Sequence, residues 1–250
     1  MYTLKKSLGQ HFLKDEGISQ RIVEALKARP FGRLLEVGPG GGALTKYLLQ
    51  LPDVDFKAVE LDEEKAVYLE NTYPAIRGKL IRGSILDIPA PWEGPFTVVG
   101  NFPYNISSQI LFRVLDWKDQ TETVVGMFQK EVAQRVAAKE GSKTYGILSV
   151  LVQAFFQVEY LFEVGEQAFT PPPKVKSAVI RLTPRAQIPA FRSEEHLRRL
   201  VKTAFNQRRK MLRNAVKGLF PPDVLADPLF DKRAEQLSVE DFAALTKRMS

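Results

Sequence analysis

Arg33-Leu34-Leu35-Glu36-Val37-Gly38-Pro39-Gly40-Gly41-Gly42-Ala43 joins a short apolar run to a cluster of glycines, and a helical pattern follows from about Ala43 to Leu51. A strand that ends in glycines and opens a helix gives such a turn a purpose. Without a Cβ the backbone can bend sharply and approach a ligand closely, with helix N–H groups facing it. Glu60 ends the next apolar run, Phe56 to Leu61, 22 positions after Gly38. A carboxylate there can accept hydrogen bonds from both hydroxyls of a ribose. Turn and acid together predict a cofactor that contains a nucleoside.

Outward from this turn, short apolar runs alternate with helical patterns. Strands are expected at Arg33 to Val37, Phe56 to Leu61, Leu80-Ile81, Phe96 to Val99 and Thr123 to Phe128, and helices at Glu63 to Tyr73, Ile106 to Leu115 and Tyr145 to Phe156. Val158 to Phe162 and Ala178 to Leu182, linked through Pro171-Pro172-Pro173, read as two closing strands that can pair antiparallel. This alternation predicts an α/β fold with a Rossmann-like sheet and flanking helices. After Pro189 no strand pattern remains. Leu197, Leu200, Val201, Ala204, Phe205, Met211, Leu212, Ala215, Val216 and Leu219 repeat at helical spacing. Two domains are expected, a catalytic body over 1–185 and a small all-helical domain over 186–250.

Composition narrows the chemistry. The 250 residues include no cysteine and two histidines, His11 and His196. Disulfides, cysteine-ligated zinc and thiol catalysis are excluded, and neither a metal centre nor a Ser/His hydrolase is expected. No run approaches the roughly 18 to 20 apolar residues of a membrane span, and Met1 to Lys14 lacks the apolar block of a signal peptide. A cytoplasmic, membrane-free protein is expected. The formal charge of +7 is unevenly placed. Arg192 to Lys217 holds nine basic and two acidic residues, and the rest holds 27 of each sign.

Gly38-x-Gly40-x-x-Ala43 also satisfies the dinucleotide fingerprint, so the turn alone leaves a nicotinamide-dependent oxidoreductase open. Two features favour S-adenosylmethionine. Glu36 gives an E-x-G-x-G-x-G spacing that resembles motif I of Rossmann-like methyltransferases. Asp87, in Gly83-Ser84-Ile85-Leu86-Asp87, falls where those enzymes place an acid on the adenine amine.

Asn101-Phe102-Pro103-Tyr104 follows the fourth strand. To methylate an exocyclic amine, an enzyme must draw the nitrogen lone pair out of conjugation with the ring. The Asn101 side-chain oxygen and the backbone carbonyl near Pro103 can each accept one amine N–H, which aims the lone pair at the methyl carbon. Tyr104 would stack on a base swung out of its surroundings.

With these segments, Gly9-Gln10-His11-Phe12-Leu13, Phe169-Thr170-Pro171-Pro172-Pro173-Lys174-Val175-x-Ser177 and Phe205-Asn206-Gln207-Arg208-Arg209-Lys210-Met211-Leu212-Arg213-Asn214 make the chain resemble the ribosomal RNA adenine N6-dimethyltransferase family, in its bacterial small-subunit branch. The resemblance implies that His11 and Leu13 cover the cofactor, that Glu36, Gly38 and Gly40 approach its methionine portion, and that Glu60 holds the ribose and Asp87 the adenine. Asn101 would lie where cofactor and target meet, with Phe169 packed on the target base opposite Tyr104. Where relatives carry Asn in place of His11, the backbone of that residue could do the work. The implied substrate is two adjacent adenosines in a hairpin loop near the 3′ end of 16S rRNA, each dimethylated, in the immature small ribosomal subunit. Alternatives are a large-subunit adenine methyltransferase of the resistance type, against which Arg208-Arg209-Lys210-x-x-Arg213-Asn214 speaks, and a protein that is mainly an RNA-binding assembly factor.

Arg199, Lys202, Arg209, Arg213 and Lys217, with Asn206 between them, recur at spacings of three and four, and Arg208 and Lys210 adjoin them. They read as one helical stripe facing RNA phosphates, a surface that Lys5 and Lys6 could extend, while the apolar stripe beside it docks on the catalytic domain. A monomer is expected.

Overall fold

The computed structural model describes residues 11–250, so Lys5, Lys6, Gly9 and Gln10 lie outside the described residues. Along the chain run β1 (Phe12–Leu13), α1 (Glu16–Lys27), β2 (Arg33–Val37), α2 (Thr45–Leu48), β3 (Asp55–Glu60), α3 (Glu63–Thr72), β4 (Leu80–Arg82), β5 (Phe96–Asn101), α4 (Ser107–Asp116), β6 (Thr121–Gln129), α5 (Lys130–Ala137) and α6 (Ile147–Gln153). There follow β7 (Phe156–Val164), β8 (Phe169–Thr170), β9 (Ser177–Pro184), α7 (Glu194–Asn206), α8 (Leu212–Ala215), α9 (Pro222–Leu225) and α10 (Val239–Thr246).

Seven strands form one sheet in the order β4-β3-β2-β5-β6-β9-β7. The first five in that order run parallel, and β9 is antiparallel to β6. Leu34, Leu35, Val98, Val99, Val124 and Val125 are fully buried. Strands covered on both faces lose the polar alternation and read as continuous apolar runs, as these do. The chain passes from β2 to β3 on one side and returns to β5 on the other. This reversal of strand order opens a crevice beyond the carboxyl ends of β2, β3 and β5, which carry Glu36, Glu60 and Asn101.

The chain divides into two compact units, residues 1–133 with 158–184, and residues 134–157 with 185–250. A single boundary near Arg185 therefore misassigns 134–157. The cause is helix α6, whose Leu148, Val150, Leu151 and Val152 are buried. It packs on α7, as does α10, and the buried stripe of α7 (Leu197, Leu200, Val201 and Ala204) has its partners there. The apolar stripe thus docks within its own unit. The charge follows the same division: the second unit has 17 basic and nine acidic residues, a net +8, against −1 for the first.

Candidate active site

The glycine turn is held by its own hydrogen bonds. Gly38, Gly40 and Gly42 all have positive φ, +65°, +57° and +84°, a region open to glycine at little cost. Gly38 N–H donates to Val59 O at 2.9 Å, Gly42 N–H to Pro39 O at 2.8 Å and Gly40 N–H to Glu60 Oε2 at 3.2 Å. Asp62 N–H donates to Glu60 Oε1 at 2.9 Å. Each Glu60 oxygen keeps a lone pair for a ribose hydroxyl. Three of the turn amides expected to face a ligand are thus spent on the protein, one of them on a carboxylate.

Beside the turn lies a cavity of about 320 Å³, bounded by the N-terminal strand, the glycine turn, the ends of β3 and β4, and the Asn101–Ile106 segment. Two buried acids line it, Glu36 and Glu60. Thr45 Oγ1 donates to Glu36 Oε2 at 2.7 Å, yet burial and the neighbouring Glu60 carboxylate push the Glu36 acid up to about 8. The Glu60 carboxylate, bonded to the Gly40 amide, disfavours a pyrophosphate against the turn and suits the ribose of a nucleoside. That argues against the dinucleotide and leaves a nucleoside cofactor without phosphates, as S-adenosylmethionine is. Among the described residues no cluster of His, Cys, Asp or Glu could hold a metal ion.

Asn101 ends β5, and the turn after it is locked by Phe102. That ring is buried across a glycine pair in register on adjacent strands, Gly100 and Gly126, where an added Cβ on Gly100 would stand 2.6 Å from Phe102 Cε1. Phe102 N–H bonds to Met127 O at 3.1 Å, and the ring meets Phe128 edge-on at 4.9 Å. The following 3₁₀ turn, Tyr104–Ile106, uses the Pro103 carbonyl, which accepts Ile106 N–H at 3.3 Å. One lone pair of the expected second amine acceptor is thus engaged and one remains.

The N-terminal strand is the clamp. β1 pairs antiparallel with β8. His11 O accepts Asn101 Nδ2–H at 3.1 Å, and His11 Nδ1 donates to Pro171 O at 2.9 Å. With its amide nitrogen tied back, Asn101 presents its oxygen as the acceptor. The His11 contribution to Asn101 is made by its backbone. Its ring lies 5.3 Å from that of Tyr104, whose hydroxyl is bonded to Ser177 Oγ and whose phenol burial holds above the usual range.

The structure gathers His11, Leu13, Glu36, Gly38, Gly40, Glu60, Asn101, Pro103 and Tyr104 around one cavity. Two expected residues are elsewhere. Phe169 is wholly buried in the core under β1, opposite Leu13, and lines no part of the cavity. Asp87 is exposed in the turn after β4, where its N–H bonds to Ser84 O; the cavity wall there is Gly83, Ser84 and Ile85. Residues that motif reading missed are Lys65, Tyr73 and Ser84, which no fingerprint marks.

In the second unit the single basic stripe is broken. Helix α7 ends at Asn206 and residues 207–210 turn, so Arg199 and Lys202 lie on one helix while Arg209 and Lys210 lie in the turn and Arg213 in α8. Gln207 N–H already closes back on Ala204 O, which ends the helical ladder. Arg213 is paired with Asp231, and Arg208 lies 3.6 Å from Glu235 and donates to Ser142 O. Arg199, Lys202, Arg209, Lys210 and Lys217 are exposed.

Comparison with known proteins adds the family. The chain is 51% identical to the "Ribosomal RNA small subunit methyltransferase A" of Cytophaga hutchinsonii, over 98% of this chain and 97% of that one. Its fold is similar to a dimethyladenosine transferase of Plasmodium falciparum (TM-score 0.80, 27% identity, 93% and 94% of the two chains). It is also similar to the 23S rRNA methyltransferase ErmE (TM-score 0.74, 25% identity, 95% and 99%). The model of the ribosomal RNA adenine dimethylase family matches residues 1–250, and the chain, with its glycine-floored cavity and tethered asparagine, belongs to that family.

Proposed function

We propose that the protein transfers methyl groups from S-adenosylmethionine to the N6 amines of two adjacent adenosines in a hairpin loop near the 3′ end of 16S rRNA, two to each, on the immature small subunit. The observation that carries the reading is the tether on Asn101: one of its two amide N–H groups donates to His11 O, which turns the nitrogen that way and leaves the oxygen to take an adenine N–H. The family supplies the adenine, and likeness to the small-subunit enzyme at 51% identity, against 25% for ErmE, favours the small-subunit RNA.

When bound, S-adenosylmethionine supplies an electrophilic methyl group on a sulfonium sulfur. Glu60 would hold the ribose through the lone pairs its two backbone partners leave, and Glu36 would face the cofactor's positive charge. Leu61 and Ile85, both on the cavity wall, would flank the adenine, with Ser84 Oγ in the place expected for Asp87. Asn101 Oδ1 and the free lone pair of Pro103 O would accept the two target N–H groups, pyramidalising N6 and directing its lone pair in line with the leaving sulfur. N6 would take the methyl group as its bond to sulfur is given up, and the two acceptors would hold the amine while its surplus proton leaves to water. Tyr104, fixed through Ser177, would carry the base on its ring. Exposed Arg199, Lys202, Arg209, Lys210 and Lys217 would contact phosphates and supply affinity rather than base choice. The protein would act in the cytoplasm as a monomer.

The test is methyl transfer to immature small subunits with nucleotide mapping. Asn101→Ala should lose at least about 100-fold in rate while still binding cofactor. Label on a large-subunit adenine would move the assignment to the ErmE-like reaction. Normal assembly in cells carrying a methyl-inactive Asn101→Ala would make the assembly role primary.

A further inference from the structure

Lys65 stands in the first turn of α3, five residues after Glu60, and only 4% of it is exposed. A lysine is almost never so deeply buried unless its ammonium is engaged. Its Nζ lies 5.0 Å from the centroid of the Phe12 ring, and both residues line the cavity. That ring rests on the glycine turn, since a Cβ added to Gly40 would stand 3.3 Å from Phe12 Cε1. Gly40 in turn donates to the carboxylate expected to hold the ribose. The residue before Phe12 is His11, whose carbonyl holds Asn101. Phe12 and Leu13 form a strand only two residues long, and the bonds that hold this segment, His11 to Asn101 and Pro171 and Lys14 N–H to Ala168 O, are made outside those two residues and leave the Phe12 ring to be placed by its own contacts. The electron-rich face of a phenyl ring attracts an ammonium, more strongly where water is excluded.

We propose that Lys65 is a positioning residue of the methyl-transfer site, holding Phe12 against Gly40 so that the N-terminal strand forms the cover of the cofactor cavity. The proposal rests on the reading of that cavity as the S-adenosylmethionine site. Lys65 differs from Glu36 and Glu60 in acting through Phe12 rather than on the cofactor. Removal of the charge, the ring, or both should therefore have one and the same consequence, a cavity with a loosened cover.

The experiment is a double-mutant cycle on the full chain, read by calorimetric binding of S-adenosylmethionine and of S-adenosylhomocysteine, with melting temperatures as a folding check. Lys65→Met keeps the apolar stem and should weaken both ligands by about 10- to 30-fold. Lys65→Arg keeps a cation and should restore most of the loss. Phe12→Leu should weaken binding similarly, and the double variant no further than Phe12→Leu alone. Multiplying losses, or a Lys65→Met protein that binds as wild type, would overturn the proposal. If wild type binds neither ligand, the reading of the cavity fails instead. The contact itself is then read by mass-spectrometric acylation of Lys65, which Phe12→Leu should accelerate; an unchanged rate would overturn the contact.

Discussion

Glu36→Gln should make the free protein more stable, and increasingly so as pH rises. The Glu36 acid is pushed from the ordinary 4.5 up to about 8, first by burial and then by the nearby Glu60 carboxylate, with the Thr45 hydrogen bond opposing both. Between those values the folded chain holds a proton that the unfolded chain has released. Stability from this group is therefore full below 4.5, falls as pH rises toward 8, and stays lost above it. At about 1.4 kcal/mol per pH unit the whole interval has an upper bound of roughly 5 kcal/mol. Local relaxation and water would trim this, so a change of roughly 2 kcal/mol or more is expected. Glutamine keeps an acceptor for Thr45 and has no charge to bury, so its advantage should be near zero at pH 5 and largest above pH 8. Both tryptophans, Trp92 and Trp117, lie in the sheet-bearing unit. Urea unfolding followed by tryptophan fluorescence thus reports the unit that contains Glu36, and the difference between variant and wild type cancels the other titrations. A difference that stays flat within about 0.5 kcal/mol from pH 5 to 8.5 would refute the reasoning.

Replacing Arg199, Arg209 and Lys210 together by Gln should flatten the plot of log affinity for rRNA against log salt by about 0.7 to 0.9 for each phosphate no longer neutralised, with cofactor affinity unchanged. Arg213→Gln, which abandons Asp231, should instead lower the melting temperature of the second unit more than it alters the salt slope. Ser84→Asp places a carboxylate on the cavity wall where the adenine amine is expected, and should tighten S-adenosylmethionine binding several-fold by calorimetry, a charged acceptor being worth about twice a neutral one; equal or weaker binding would remove Ser84 from the adenine.

The sheet was largely legible because its strands are buried on both faces and its punctuation is glycine. Phe96 to Val99 and Thr123 to Phe128 cannot be mistaken for solvated alternation, and Gly38 to Gly42 mark a turn that other residues would strain. Helix α1 stands outside the expected elements although its signal is present: Asp15 caps it and Ile22, Val23 and Leu26 repeat at helical spacing, a pattern that reading outward from strands and glycines passes over. The broken basic stripe has a different origin. Spacings of three and four continue through Gln207 to Lys210 by coincidence, and nothing in the side-chain pattern records that the backbone stops being helical at Asn206.

What periodicity cannot carry is the clamp. The contacts that turn an asparagine after a strand into an oriented acceptor join residues far apart in the chain: Asn101 to His11, His11 to Pro171, Tyr104 to Ser177. A strand of two residues has no period to detect, and the backbone carbonyl of His11 is the same atom in any residue placed there. Phe169 is a related case. Its family-like motif identifies the segment, but the β1–β8 pairing sets the side chain opposite Leu13 and so into the core. Residue identity thus marked which groups do chemistry, while pairing between distant segments set where those groups point. The Lys65–Phe12 contact belongs to the second class, since neither residue is distinctive alone and their meaning lies in the glycine between the ring and Glu60.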